Sequence, residues 1–112
     1  MMNLLLALFL LIVDDATEPV VFMFVPIESS AVPRTGPVLL EAAAGDDAEL
    51  VEVRFYVDGK LECRDALAPY ACDWTRKRKS GRNYIVEARA EDVAGNVSFS
   101  ETVIYSTEEV FP

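Results

Sequence analysis

The chain has 112 residues, with ten Lys and Arg against nineteen Asp and Glu, a net charge of −9, and no His. That length suggests one domain, and the acidity argues against nucleic acid, whose phosphates need a basic face. Without His there are no Ser-His or Cys-His nucleophile pairs, and two Cys leave too few good ligands for a structural zinc site.

The first element, MMNLLLALFLLIV, is apolar from Leu4 to Val13, shorter than the ~20 residues that span a bilayer. It has the length of a signal-peptide apolar core. No Lys or Arg precedes it, however, and cleavage after Ala16 would put Asp14 where a small residue is preferred. Two other readings stay open: LLIVDD as the tail of a preceding strand in a truncated frame, or the run as an extra strand on this domain. Residues 1–16 are therefore set apart as an N-terminal segment, 17–107 as the domain and 108–112 as a tail. Any membrane contact is expected through residues 1–16 alone, if they are not cleaved.

From Pro19 onward short alternating segments recur between turn residues, without a helical period. VVFMFV (20–25) is a first predicted strand, stopped by Pro26. If Val21 and Met23 face the core, Val20, Phe22 and Phe24 face outward, a candidate interaction surface covered by residues 4–13, a neighbouring domain or a second copy; the alternative is that the alternation flips or the strand is buried on both faces. PVLLEAAA (37–44) puts Val38, Leu40, Ala42 and Ala44 on one face. LVEVRFY (50–56) puts Val51, Val53 and Phe55 on one side and Glu52, Arg54 and Tyr56 on the other. Strands at 60–64 and 70–75 follow, the latter with Tyr70, Cys72 and Trp74 in phase. NYIVEARAE (83–91) aligns Tyr84, Val86, Ala88 and Ala90. VSFSETVIYS (97–106) aligns Val97, Phe99, Val103 and Tyr105, and Glu101 in the same phase predicts a bulge. These segments give an all-β, immunoglobulin-like sandwich of about seven antiparallel strands.

The Asp58-Gly59 turn sets the register of its hairpin. A two-residue turn would put Leu61 and Cys63 on the polar side. A three-residue loop over 57–59 with a bulge pairs Phe55 with Leu61 and Val53 with Cys63, so the apolar side chains share a face. The bulged loop is expected, with Gly59 at positive φ and Arg54 opposite Glu62.

The stretch VEVRFYVDGKLECRDALAPYACDW, followed by YIVEARAEDVAGN, resembles the bacterial-type immunoglobulin-like domains of secreted and surface proteins. The motifs are F-Y-V-D-G (55–59), A-P-Y (68–70) before a strand with Trp74, and A-x-A-x-D-x-A-G-N (88–96). The resemblance spans roughly 19–106 and implies an extracellular or envelope location, no catalytic residues and no cofactor. It implies a spacer, adhesion or accessory role beside neighbouring domains or surface proteins. A carbohydrate-binding module contacting an acidic polysaccharide is the alternative.

Four candidate sites remain. Cys63 and Cys72, the only cysteines, point to a disulfide in an oxidising compartment, with free thiols or a metal or redox role as alternatives. The run Arg76, Lys77, Arg78, Lys79, with Arg82 beyond it, is either a solvated turn or a contact for an anionic partner. Asp92, Gly95 and Asn96 form a turn like that at Asp58 and Gly59; calcium held by Asp92 with Asp46 and Asp47 is the alternative. Phe22 and Phe24 form the fourth.

Overall fold

The computed structural model describes residues 18–47 and 49–107. The expectations for residues 1–16 and 108–112 lie outside them. Among the described residues there are eight strands: β1 (Val20–Val25), β2 (Ala31–Val32), β3 (Val38–Gly45), β4 (Leu50–Val57), β5 (Lys60–Asp65), β6 (Tyr70–Trp74), β7 (Arg82–Asp92) and β8 (Val97–Ser106). They form two sheets, β1-β3-β6 and β2-β8-β7-β4-β5, packed as an immunoglobulin-like sandwich. All seven predicted strands form. The eighth, β2, has two residues and runs parallel to β8, too short to leave an alternating pattern.

The core is the sum of the inward phases. Leu40 and Ala42 from β3, Val53 and Phe55 from β4, Trp74 from β6, and Val86, Ala88 and Ala90 from β7 are at most 3% exposed. Trp74 packs edge-on to Tyr84, with ring centroids 5.3 Å apart.

Three expected phases are corrected. On β8 the buried residues are Thr102, Ile104 and Ser106, while Phe99 is 61% exposed and Val97 and Tyr105 also face out. Pairing with β7 runs without a break from Arg82↔Ser106 to Glu91↔Val97, so there is no bulge at Glu101. The register decides: Val86 and Ala88 lie inward, so Thr102 and Ser100 opposite them do too. Two of the inward hydroxyls find partners, while the buried Ser106 Oγ has none among the described residues. Thr102 Oγ1 donates to Glu28 at 2.9 Å, and Ser100 Oγ accepts the Met23 amide at 3.1 Å. On β4, the pairing with β7 shifts between Leu50 and Glu52. Leu50 packs on the core and Val51 is turned out.

The third correction is the hairpin. Asp58 (φ 49°) and Gly59 (φ 82°) are both left-handed, a two-residue type I′ turn whose twist matches the flanking strands. Tyr56 pairs with Leu61, which is left exposed. The bulge comes one step later, at Glu62, so that Cys63 sits opposite Phe55 and returns to the inner side. The bulge returns Cys63 to the core side, but from within the strand and at the expense of Leu61. Arg54 lies opposite Arg64, not Glu62, and its charge is met by Glu52 at 3.6 Å and Glu91 at 3.4 Å.

Candidate functional site

The segment TRKRKSG (75–81) joins β6 to β7. Its four consecutive basic residues do not share a role. Arg78 is 2% exposed and is removed from the predicted anion-contact set. Its guanidinium donates to Pro33 O at 2.7 Å, Gly36 O at 2.6 Å, Arg76 O at 2.9 Å and Trp74 O at 3.5 Å, and lies over the Trp74 ring at 4.7 Å. The planar fork suits several carbonyls and a ring face together. Burial lowers its pKa from the usual Arg value, with Tyr84 opposing. Backbone bonds fix the loop further: Arg78 N–H to Arg34 O at 2.9 Å, Lys79 N–H to the Tyr84 hydroxyl at 2.8 Å, and Gly81 N–H to Ser106 O at 2.7 Å.

With Arg78 turned in, Arg76, Lys77 and Lys79 are turned out. They meet Lys60 from the hairpin turn and Arg82 from the start of β7 around a cleft of about 350 Å³, which Asp58, Glu62, Trp74 and Tyr84 also line. Arg76 pairs with Glu62 at 3.1 Å and Arg82 with Asp58 at 3.1 Å. Lys60, Lys77 and Lys79 make no ion pair among the described residues. The Arg82 guanidinium lies 4.9 Å from the Tyr84 ring centre. Asp58 does more than turn the chain: its Oδ1 accepts the Ile85 amide at 2.9 Å, tying the hairpin to β7.

The other candidates separate from this cleft. Cys63 and Cys72 are disulfide-bonded, with Cα atoms 6.0 Å apart, and the bond joins edge strand β5 of one sheet to edge strand β6 of the other. Asp92 closes the 92–96 turn. Its Oδ1 accepts the amides of Ala94 at 3.0 Å and Asn96 at 2.9 Å, and its Oδ2 accepts from Asn96 Nδ2 at 3.1 Å. Gly95 takes φ 93°. A hydrogen bond with the Asp46 carboxyl, and then these donors, hold the Asp92 pKa down to about 2. No group of three or more His, Cys, Asp or Glu suited to a metal occurs among the described residues, and Asp47 is exposed. Phe22 and Phe24 are 62% and 43% exposed on edge strand β1, beside Val20 and Ile27.

Two carboxylates escaped the sequence reading. Asp65 accepts the amides of Leu67 at 3.1 Å and Ala71 at 3.0 Å, shaping the A-P-Y loop. Glu28 accepts from Thr102 and from the Val103 amide, both at 2.9 Å, which lowers its pKa. Asp65 had a local signal, an acidic residue just before a turn. Glu28 had none, because its partners lie more than 70 residues away.

The profile of the bacterial Ig domain family matches residues 19–88, which is 70 of the 112 residues. This chain belongs to that family. Among curated protein sequences none matches it. The fold of this bacterial Ig domain is similar to that of Clostridium thermocellum CbhA fibronectin(III)-like modules. The TM-score is 0.75 at 20% identity, over 82% of this chain and 100% of the other. Bacteroides ovatus SGBP-B of a mixed-linkage glucan utilization locus, solved in complex with a mixed-linkage heptasaccharide, aligns at TM-score 0.55 and 10% identity over 84% of this chain. A Cellulomonas fimi endo-β-1,4-mannanase double mutant aligns at 0.50 and 23% over 78%. The domain spans only 25% and 18% of those two longer chains.

Proposed function

We propose that this bacterial Ig domain is a non-catalytic, in-line module of a secreted or cell-surface protein, spacing or presenting the domains beside it. The observation that carries this reading is the path of the chain. β1 enters with Val20 opposite Gly45, at the pole of the Asp92 turn, where Leu50 pairs with Asp92. β8 leaves with Ser106 opposite Arg82, at the pole of the cationic cleft. The two poles are separated by the ten residues of β8, roughly 33 Å at about 3.3 Å per residue. A chain that enters at one pole and leaves at the other strings modules end to end.

The disulfide supports an oxidising location outside the cytoplasm. Phe22 and Phe24, on the entry strand, would rest against the preceding domain. Small-angle scattering on two copies joined head to tail tests the reading. The maximum dimension should grow by about one domain length over a single copy; side-by-side packing of the copies, with little growth, would refute it.

A second reading, contact with polysaccharide, is favoured by the cleft at the exit pole and by the settings in which similar folds occur. Binding of the isolated chain to a panel of glycans tests it.

A further inference from the structure

We infer that the cleft between the hairpin turn and the 75–81 loop binds the anionic groups of an acidic polysaccharide and passes over neutral glycans. The inference rests on the second reading above and names its site and ligand chemistry.

Charge placement is the first ground. Five of the ten Lys and Arg of an acidic chain line this one cleft, brought there from three separate segments. Asp58 and Glu62 offset two of them, leaving a local surplus of three positive charges in a chain of net −9. Folding does not account for Lys60, Lys77 and Lys79. All three are exposed and unpaired among the described residues, and their mutual repulsion opposes the fold. The Arg76 and Arg82 guanidinium groups are exposed, but their carboxylate partners Glu62 and Asp58 are 10% and 30% exposed, so those two pairs stay intact and a ligand is left to the three lysines.

Preorganisation is the second ground. Arg78 anchors the loop from beneath through four carbonyls, and the Lys79 amide is held by Tyr84. The lysines on either side of Arg78 therefore project from a fixed backbone, which reduces the ordering entropy that binding must overcome.

The third ground separates charged from neutral sugars. A neutral sugar ring is gripped by stacking on an exposed aromatic face. Trp74 and Tyr84 are 1% and 8% exposed, and the guanidinium groups of Arg78 and Arg82 lie against their rings. Recognition in this cleft is left to charge. The cationic patch is also local. Elsewhere the surface is acidic and repels a densely charged rod, which disfavours nucleic acid and suits a polymer with spaced anionic groups on a neutral backbone.

The experiment measures binding of the full chain to polygalacturonate, whose anionic group is a carboxylate, and to dextran sulfate. Dextran and mixed-linkage glucan serve as neutral controls and poly-glutamate as an acidic polypeptide. Binding to at least one acidic polysaccharide is expected, and the two arms separate carboxylate from sulfate. With three unpaired cations engaged, affinity should fall about 20-fold between 50 and 200 mM salt, by the slope of roughly 0.7 per contact for a flexible polyanion. The triple variant Lys60→Ser, Lys77→Ser, Lys79→Ser should lose binding while keeping the melting temperature of the parent. Undiminished binding by that variant, salt-independent binding by the unmodified chain, or tighter binding to poly-glutamate would each overturn the inference. Binding to neutral glucan alone would overturn it and leave the polysaccharide reading standing. Binding to no glycan would remove both and leave the in-line module.

Discussion

Arg78 is the residue on which the geometry of the cleft depends, and replacing it tests that dependence. Arg78→Met keeps most of the apolar stem and removes the charge and every donor. Three short hydrogen bonds, to Pro33, Gly36 and Arg76, would be lost at about 1.5–3 kcal/mol each for a charged donor. The contact with Trp74 adds about 1–2 kcal/mol in a desolvated site. Against this, the variant no longer strips water from a guanidinium, which returns several kcal/mol. The balance is a loss of about 2–4 kcal/mol. Thermal unfolding followed by circular dichroism should therefore show a midpoint roughly 8–30 °C lower, at about 4–8 °C per kcal/mol for a domain of this size. Arg78→Lys keeps the charge, but one ammonium cannot reach carbonyls spread around a planar fork. It should recover less than half of the loss. A Met variant within about 0.5 kcal/mol of the parent would refute the anchoring role. Full recovery by Lys would show that charge alone, and not the fork, does the holding.

Three other outcomes are expected. Replacing both Cys63 and Cys72 with Ala removes a cross-link between positions nine apart and should cost about 2–3 kcal/mol on the chain-entropy account, read as a lower denaturant midpoint; an unchanged midpoint would contradict it. Asp92 is held at about 2 in the folded domain against about 3.9 in an unfolded chain. Its contribution is therefore complete above about pH 4 and is lost as pH falls toward 2. Asp92→Asn, which cannot titrate, should show a shallower fall in melting temperature across that window, and equal slopes would refute the assignment. Gly59→Ala meets no steric neighbour but keeps φ at +82°, so the left-handed backbone alone should cost about 1–2 kcal/mol in a denaturant titration.

The strands were legible because alternation is a local signal. Leu40, Ala42, Val86 and Ala88 declare their faces within a few residues. What the pattern hid was decided by distant partners. β8 offers two competing phases, and the more apolar one, Phe99 with Val103 and Tyr105, lost. Ser100 and Thr102 could go inward because Met23 and Glu28 supply hydrogen bonds from far along the chain, a compensation that local reading does not see. Val51 was turned out by a one-residue bulge and Leu61 by the two-residue turn, which the later bulge at Glu62 reverses for Cys63, so Val53, Phe55 and Cys63 keep the inner side. In the basic run, four like residues in a row carry no mark of which one has buried acceptors beneath it. The cleft became visible only when Lys60, seventeen positions from Lys77, was placed beside it.

The bond between β5 and β6 also limits how far this domain can stretch. Pulled from its two poles until it unfolds, the chain pays out only the residues outside the cross-linked stretch. The nine positions from Cys63 to Cys72 stay short-circuited, hiding roughly 30 Å of contour length at about 3.3–3.6 Å per residue. A reductant would release that length, so the reach of the unfolded tether depends on the redox state of its surroundings.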